Sequence, residues 1–171
     1  MKKTVLLLAT LQTLACTPAL AADKCANAIG NITIGKVTLG CMIITGSANF
    51  TKTELTGPLV LKGKLEAMES TLMEIQVAGP VSLTMTSVNG KASIVGPVLE
   101  ATKSSFAQSL DFTGDAIRLN KTTTRNITIN SQHPVTLSLT DVTVNGDIRF
   151  THGKGTVENN HSSIHGQVLQ K

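Results

Sequence analysis

The sequence predicts an all-β protein, a single-stranded β-solenoid of about seven coils of ~18 residues. Three observations predict it. First, a phrase of small hydroxyl residues, an aliphatic or Phe, and then Gly returns through residues 51–166. It reads Thr53–Glu54–Leu55–Thr56–Gly57, Ser70–Thr71–Leu72, Thr86–Ser87–Val88–Asn89–Gly90, Ser104–Ser105–Phe106, Thr122–Thr123–Thr124, Thr143–Val144–Asn145–Gly146 and Ser162–Ser163–Ile164–His165–Gly166. Second, a corner marker runs beside it at Gly57–Pro58, Gly79–Pro80, Gly96–Pro97, Gly114–Asp115 and His133–Pro134, at intervals of 22, 17, 18 and 19 residues. Third, apolar and polar residues alternate in short runs rich in Val, Ile, Leu and Thr, the period of a half-buried strand. One such coil has no core of its own; stacking coils at a rise of about 4.8 Å buries a shared one. About seven coils would make a rod on the order of 35 Å long.

Residues 1–21 read as an export leader. Lys2 and Lys3 form the basic region, residues 5–14 an apolar run too short to span a bilayer, and Ala19–Leu20–Ala21 a small-residue cleavage site. Leu14–Ala15–Cys16 offers a rival route, with Cys16 lipidated, but Thr13 stands where that motif carries Leu. Removing residues 1–21 leaves 150, enough for one domain, and places the chain in the periplasm, on the cell surface or outside the cell. Two cysteines then remain, Cys25 and Cys41. In an oxidising compartment they are expected to pair.

Residues 22–47 read as a lead and first coil. Ile32 and Ile34 alternate with Asn31 and Thr33, Gly35–Lys36 is a turn, and Val37 and Leu39 resume the alternation. A Cys25–Cys41 bridge would tie the lead to that coil. Residues 48–171 are the repeats, with strands expected at 60–61, 75–77, 81–83, 94–95, 116–119, 127–129, 135–139 and 142–144. Residues 62–74 hold the best helical spacing (Leu65, Met68, Leu72, Met73), yet Gly63 and Ser70–Thr71 interrupt it, so it reads as a coil too. A β-sandwich is the alternative fold, but it would not require the hydroxyl phrase to return at this period. The last coil ends in Gln-Val-Leu-Gln-Lys with no helical cap, which makes Ile164, Val168 and Leu169 an expected assembly end.

Short coils with an aliphatic residue and Gly in each phrase, as in residues 86–96 and 143–150, resemble the bactofilins, bacterial polymer-forming β-helices. Gly114–Asp115–Ala116–Ile117 and Gly146–Asp147–Ile148 behind a leader resemble the repeats of adhesin-head β-solenoids. These resemblances imply a structural or adhesive role and transfer no functional residue. The bactofilins are typically cytoplasmic, whereas this leader implies export. Neither Gly-Asp here follows the Ser-Gly-Ser of the adhesin repeats.

Composition narrows the chemistry. There are 15 Lys and Arg against 11 Asp and Glu, and with Lys2 and Lys3 set aside the net charge falls from +4 to +2. The charges are scattered singly, and the chain has no Trp, no Tyr and four Phe. That disfavours nucleic acid, which needs a basic track and stacking platforms, and weakens aromatic sugar recognition. His133, His152, His161 and His165 collect near the C-terminus; His133 and His152, 19 apart, would stack if one coil separated them. They read as loop residues in preference to metal ligands. Asp111 with Asp115, and Asp141 with Asp147, are the close acidic pairs that a polysaccharide-acting enzyme would use. The two Gly-Asp steps read more simply as turns whose side chains bond the local backbone. Thr51–Lys52–Thr53, Thr84–Met85–Thr86 and Thr122–Thr123–Thr124 could build a flat hydroxyl array for ordered water, though β-propensity accounts for them. The five Asn-x-Ser/Thr sequons follow from the Thr-rich composition.

The expected function is therefore non-enzymatic, with no cofactor and no metal: a structural or assembly component of a bacterial envelope or surface, self-associating through coil ends. An adhesin-like module binding an envelope polymer or host ligand is the alternative.

Overall fold

The computed structural model describes residues 25–152 and 155–170. The expected leader and cleavage site, and Cys16, lie outside them. The described chain is built of strands without a helix, each paired in parallel with the strand one turn further along. It winds as a β-solenoid of eight turns and the first strand of a ninth, one turn more than expected. Residues 62–74 hold the strand Leu65–Met68 and the start of Thr71–Ala78. No helix among the described residues is long and apolar enough to cross a membrane.

Each turn has three faces. In the second turn, Met42–Thr51 supplies the first two by bending at Gly46, and Glu54 and Leu55 supply the third. The pleat sends alternate residues inward, and the parallel register stacks them in six columns. One column runs Met42, Leu59, Ile75, Ala92, Leu110, Ile127 and Ile148, all buried. Another runs Leu55, Leu72, Val88, Phe106, Thr124 and Val144. The four Phe residues all lie in the core.

The hydroxyl phrase is the signature of one corner. Between the second and third faces stand Lys36, Lys52, Glu69, Met85, Lys103, Lys121, Asp141 and His161, one per turn, each with φ between 38° and 56°. That left-handed step is uncommon for residues other than glycine. It turns the chain so that the next residue points inward: Thr53, Ser70, Thr86, Ser104 and Thr122 are buried there. The following hydroxyl (Thr71, Ser87, Ser105, Thr123) faces outward, and the aliphatic or Phe after it goes back to the core. The last inward residue of the second face and the core residue of the third are five positions apart in every turn, from Ile34 and Leu39 to Asn159 and Ile164.

The looseness of the period comes from the other two corners. Between the first and second faces the spacing grows from four residues (Ile44 to Ala48) to eight (Ile129 to Leu137). A turn measured on the third face thus lengthens from 16 residues, Leu39 to Leu55, to 20, Val144 to Ile164. Gly79, Gly96 and Gly114 mark the corner between first and second faces, but Gly57 precedes the first face. The 22-residue interval therefore joins two different corners; the equivalent of Gly79 in the preceding turn is Gly63. Its φ is +138°, and a Cβ there would overlap the carbonyl of Gly46 beneath it.

Candidate functional site

The N-terminal coil consists of Ala26–Gly35 and Thr38–Leu39. Its strands pair with the turn above, and among the described residues nothing pairs with their other edge. By register its inward positions are Ala26, Ala28, Ile32, Ile34, Val37 and Leu39. Ala28, Ile32, Ile34 and Leu39 pack on the core from one side only and stay half-exposed. The expected disulfide is present: Cys25 and Cys41 are bridged, and the Ala26 N–H donates to the Cys41 carbonyl at 3.0 Å. The staple therefore holds the outermost coil to its neighbour.

At the other end, Ile164 and Val168 occupy inward columns, above Val144 and Ile148. Leu169 does not join them. Its register with Arg149 puts it on the outer surface of the first face. The inward positions of this end also include Asn159, Ser162 and Gln170. Asn159 bonds the backbone of Ser162 twice, accepting its N–H at 2.9 Å and donating to its carbonyl at 3.2 Å. Gln170 Nε2 donates to the Gly155 carbonyl at 2.9 Å. Ser162 Oγ accepts the Val142 N–H at 2.9 Å and donates to the Asn160 carbonyl at 3.3 Å. Half of this rung is polar, and all three of those side chains are engaged within the chain.

The outer surface of the first face carries a polar strip. Asp111, Thr128 and Arg149 stack in register, and Ser109, Asn126 and Asp147 complete an open depression around them. A second depression continues it past Thr113, Asn130, Thr151 and His152. Lys91 Nζ lies 2.7 Å from Asp111 Oδ2. That hydrogen bond and the Asp111 charge, with Glu74 adding less, hold the Lys91 ammonium protonated above the ordinary lysine range. Arg118 pairs with Glu100 at 2.9 Å on the second face.

The sequence pairs of carboxylates are divided by the corners. Asp111 lies on the first face, Asp115 beside Arg118, Ser138 and Glu158 on the second, and Asp141 at the left-handed corner. The structure instead brings Asp111 and Asp147 to one depression. Asp147 does not close a local turn. Its Oδ1 accepts the Gln167 N–H at 2.9 Å from the next turn, while its own N–H donates to Asn126 Oδ1 at 3.0 Å in the turn before. Gly146 and Gly166 leave room for this stair, since a Cβ at either would overlap Asn126 or Asp147.

His152 sits over Asn130, not His133: Nδ1 is 2.8 Å from Asn130 Oδ1, because residues 131–134 belong to the enlarged corner. Among the described residues no group of three or more His, Cys, Asp or Glu is placed to hold a metal. The Thr-x-Thr steps form no flat array. The left-handed residue in Thr51–Lys52–Thr53 and Thr84–Met85–Thr86 sends the second Thr inward, and Thr122 and Thr124 are both buried.

Sequence reading missed the polar strip and the Asn126–Asp147 stair, since both join residues about 20 apart whose alignment depends on the length of each corner. The N-terminal rung was visible as the alternation in residues 31–39. Compared with protein-family models, curated proteins and solved structures, the chain matches none.

Proposed function

We propose that this chain is an exported, non-enzymatic β-solenoid serving as a structural or assembly component of a bacterial cell envelope or surface, and that it works by pairing through a coil end. One observation carries the reading. The N-terminal coil has an apolar rung and a strand edge with no partner among the described residues, and a disulfide keeps that edge in order. An uncovered strand edge is a template for another chain. Light scattering and electron microscopy of the exported, purified protein test it. Species larger than one chain, growing with concentration, are expected; compact monomers at every concentration would discard the idea.

The polar strip on the first face favours a second reading, an adhesin-like module for an envelope polymer or host ligand. Its alternating carboxylate, hydroxyl, amide and guanidinium groups suit a hydroxyl-rich polymer lying along the rod. Pull-down against envelope fractions tests it. Lys91→Glu or Arg149→Glu should weaken capture while Arg118→Glu, on another face, should not.

A further inference from the structure

We infer that the N-terminal coil is the end that pairs, that its occupant is the same coil of a second copy, and that the product is a two-fold dimer. The inference rests on the assembly reading above and on removal of residues 1–21.

The two ends differ in chemistry. The N-terminal rung is apolar at all six inward positions, whereas the other end presents Asn159, Ser162 and Gln170 among its six. Those side chains already bond within their own chain, and burying them against Ile34, Val37 or Ala28 would strip water from their remaining polar atoms with no new partner, whereas burying apolar groups against one another gains free energy. The ends also differ in size. A turn near the N-terminal end takes 16 residues and the last 20, with most of the excess at the corner between the first and second faces. A head-to-tail contact would set a small perimeter against a larger one. Two N-terminal coils match by symmetry, as an isologous interface requires.

Two further features point to the same end. Ile29 is 87% exposed, the most exposed of the large apolar side chains described, and it stands at the rim of this coil. Ile43, 40% exposed, lies on the same face one turn along and extends the patch. The outer edge of Ala26–Gly35 is unpaired among the described residues, and across a two-fold axis perpendicular to the rod it would meet its mate antiparallel, a sound β pairing. The competing occupant is the chain's own N-terminal segment. With the leader removed, residues 22–24 remain ahead of Cys25, and three residues reach about 10 Å, too little to cover six side chains around a coil.

The test uses protein exported by an expressing host, its N-terminus identified by intact mass. Sedimentation and light scattering over a concentration series should show a monomer–dimer equilibrium without larger species. Ile29→Lys, and Ile29→Lys combined with Ile32→Lys, should raise the dissociation constant about tenfold or more, because each puts an unpaired charge into an apolar contact and the two-fold doubles it. Val168→Lys should leave it unchanged. Circular dichroism checks that each variant keeps its strands. If the double variant unfolds, the single one and hydrogen exchange decide: amides of residues 26–35 should gain protection with concentration, and those of 156–170 should not. Association abolished by Val168→Lys and untouched by Ile29→Lys, or growth beyond dimers, overturns this inference and leaves the assembly reading standing. A mature monomer at every concentration overturns both. A monomer retaining residues 1–21 overturns the inference, since removal of those residues is its premise.

Discussion

The hydroxyl of Ser70 accepts the backbone N–H of Thr53 from the preceding turn at 3.1 Å and donates to the Met68 carbonyl at 2.8 Å. The same link recurs between Thr86 and Ser104 at 3.2 Å, and between Val142 and Ser162 at 2.9 Å. The threonines of the column reach the other way: Thr53, Thr86 and Thr122 donate to the carbonyls of Ile34, Ala67 and Ala101. At the left-handed corner the ordinary ladder cannot satisfy every group, and the buried hydroxyl bridges the gap. Ser70→Ala and Ser104→Ala should each destabilise the protein by about 1–2 kcal/mol, by stranding a buried N–H. A lowered urea midpoint with an unchanged slope is the expected record.

Thr124 is the contrary case. Its Oγ1 is the buried side-chain oxygen or nitrogen with no hydrogen-bond partner among the described residues, in a column that otherwise carries Leu, Val, Phe and Ile. Thr124→Val keeps the shape and removes the orphan. It should raise stability by about 1 kcal/mol. Equal or lower stability in chemical denaturation would show that the hydroxyl is served after all.

Gly63→Ala should cost about 2 kcal/mol or more, since the new methyl would meet the Gly46 carbonyl and the residue would hold φ +138°. Gly40→Ala is the control. It meets nothing within 4 Å, its φ is not positive, and it should change stability by less than about 0.5 kcal/mol. Thermal melts of the two variants beside the parent check the contrast.

The Cys25–Cys41 bridge closes a short loop, worth about 3 kcal/mol in the chain-entropy account. A solenoid is held turn by turn, so the loss should be local. Reduction, or Cys25→Ser with Cys41→Ser, should free the amides of residues 26–39 to exchange while those of residues 59–150 keep their protection. Uniform loss along the rod would contradict a turn-by-turn stack.

The stair from Asn126 through Asp147 to Gln167 ties three turns at one corner. Asp147→Ala should destabilise the last turns by about 1 kcal/mol, the worth of a charge-assisted bond at an exposed site. The same exchange experiment reads it, as faster exchange confined to residues near 167.

Some of this architecture was legible in residue order because it repeats locally. The hydroxyl, hydroxyl, aliphatic phrase is read off because its corner holds five residues in every turn, so the same side chains meet the same environment each time. Alternation at Ile32, Ile34, Val37 and Leu39 likewise reports which side of the first coil is apolar. The stacked, helix-free solenoid and the terminal staple follow from such short-range patterns.

What only the tertiary structure decided is how turns of unequal length align. Sixteen residues in one turn and twenty in another put Asp147 in one depression with Asp111, His152 over Asn130, and Leu169 outside the rung where Val168 stands. Column membership is a running sum over every corner before it, so a one-residue change at a corner shifts all that follows. Spacing within a turn is set by the strand pleat and is therefore written in the sequence. Spacing between turns is set by corner geometry and by backbone bonds to the neighbouring coil, and those exist only once the coils have stacked.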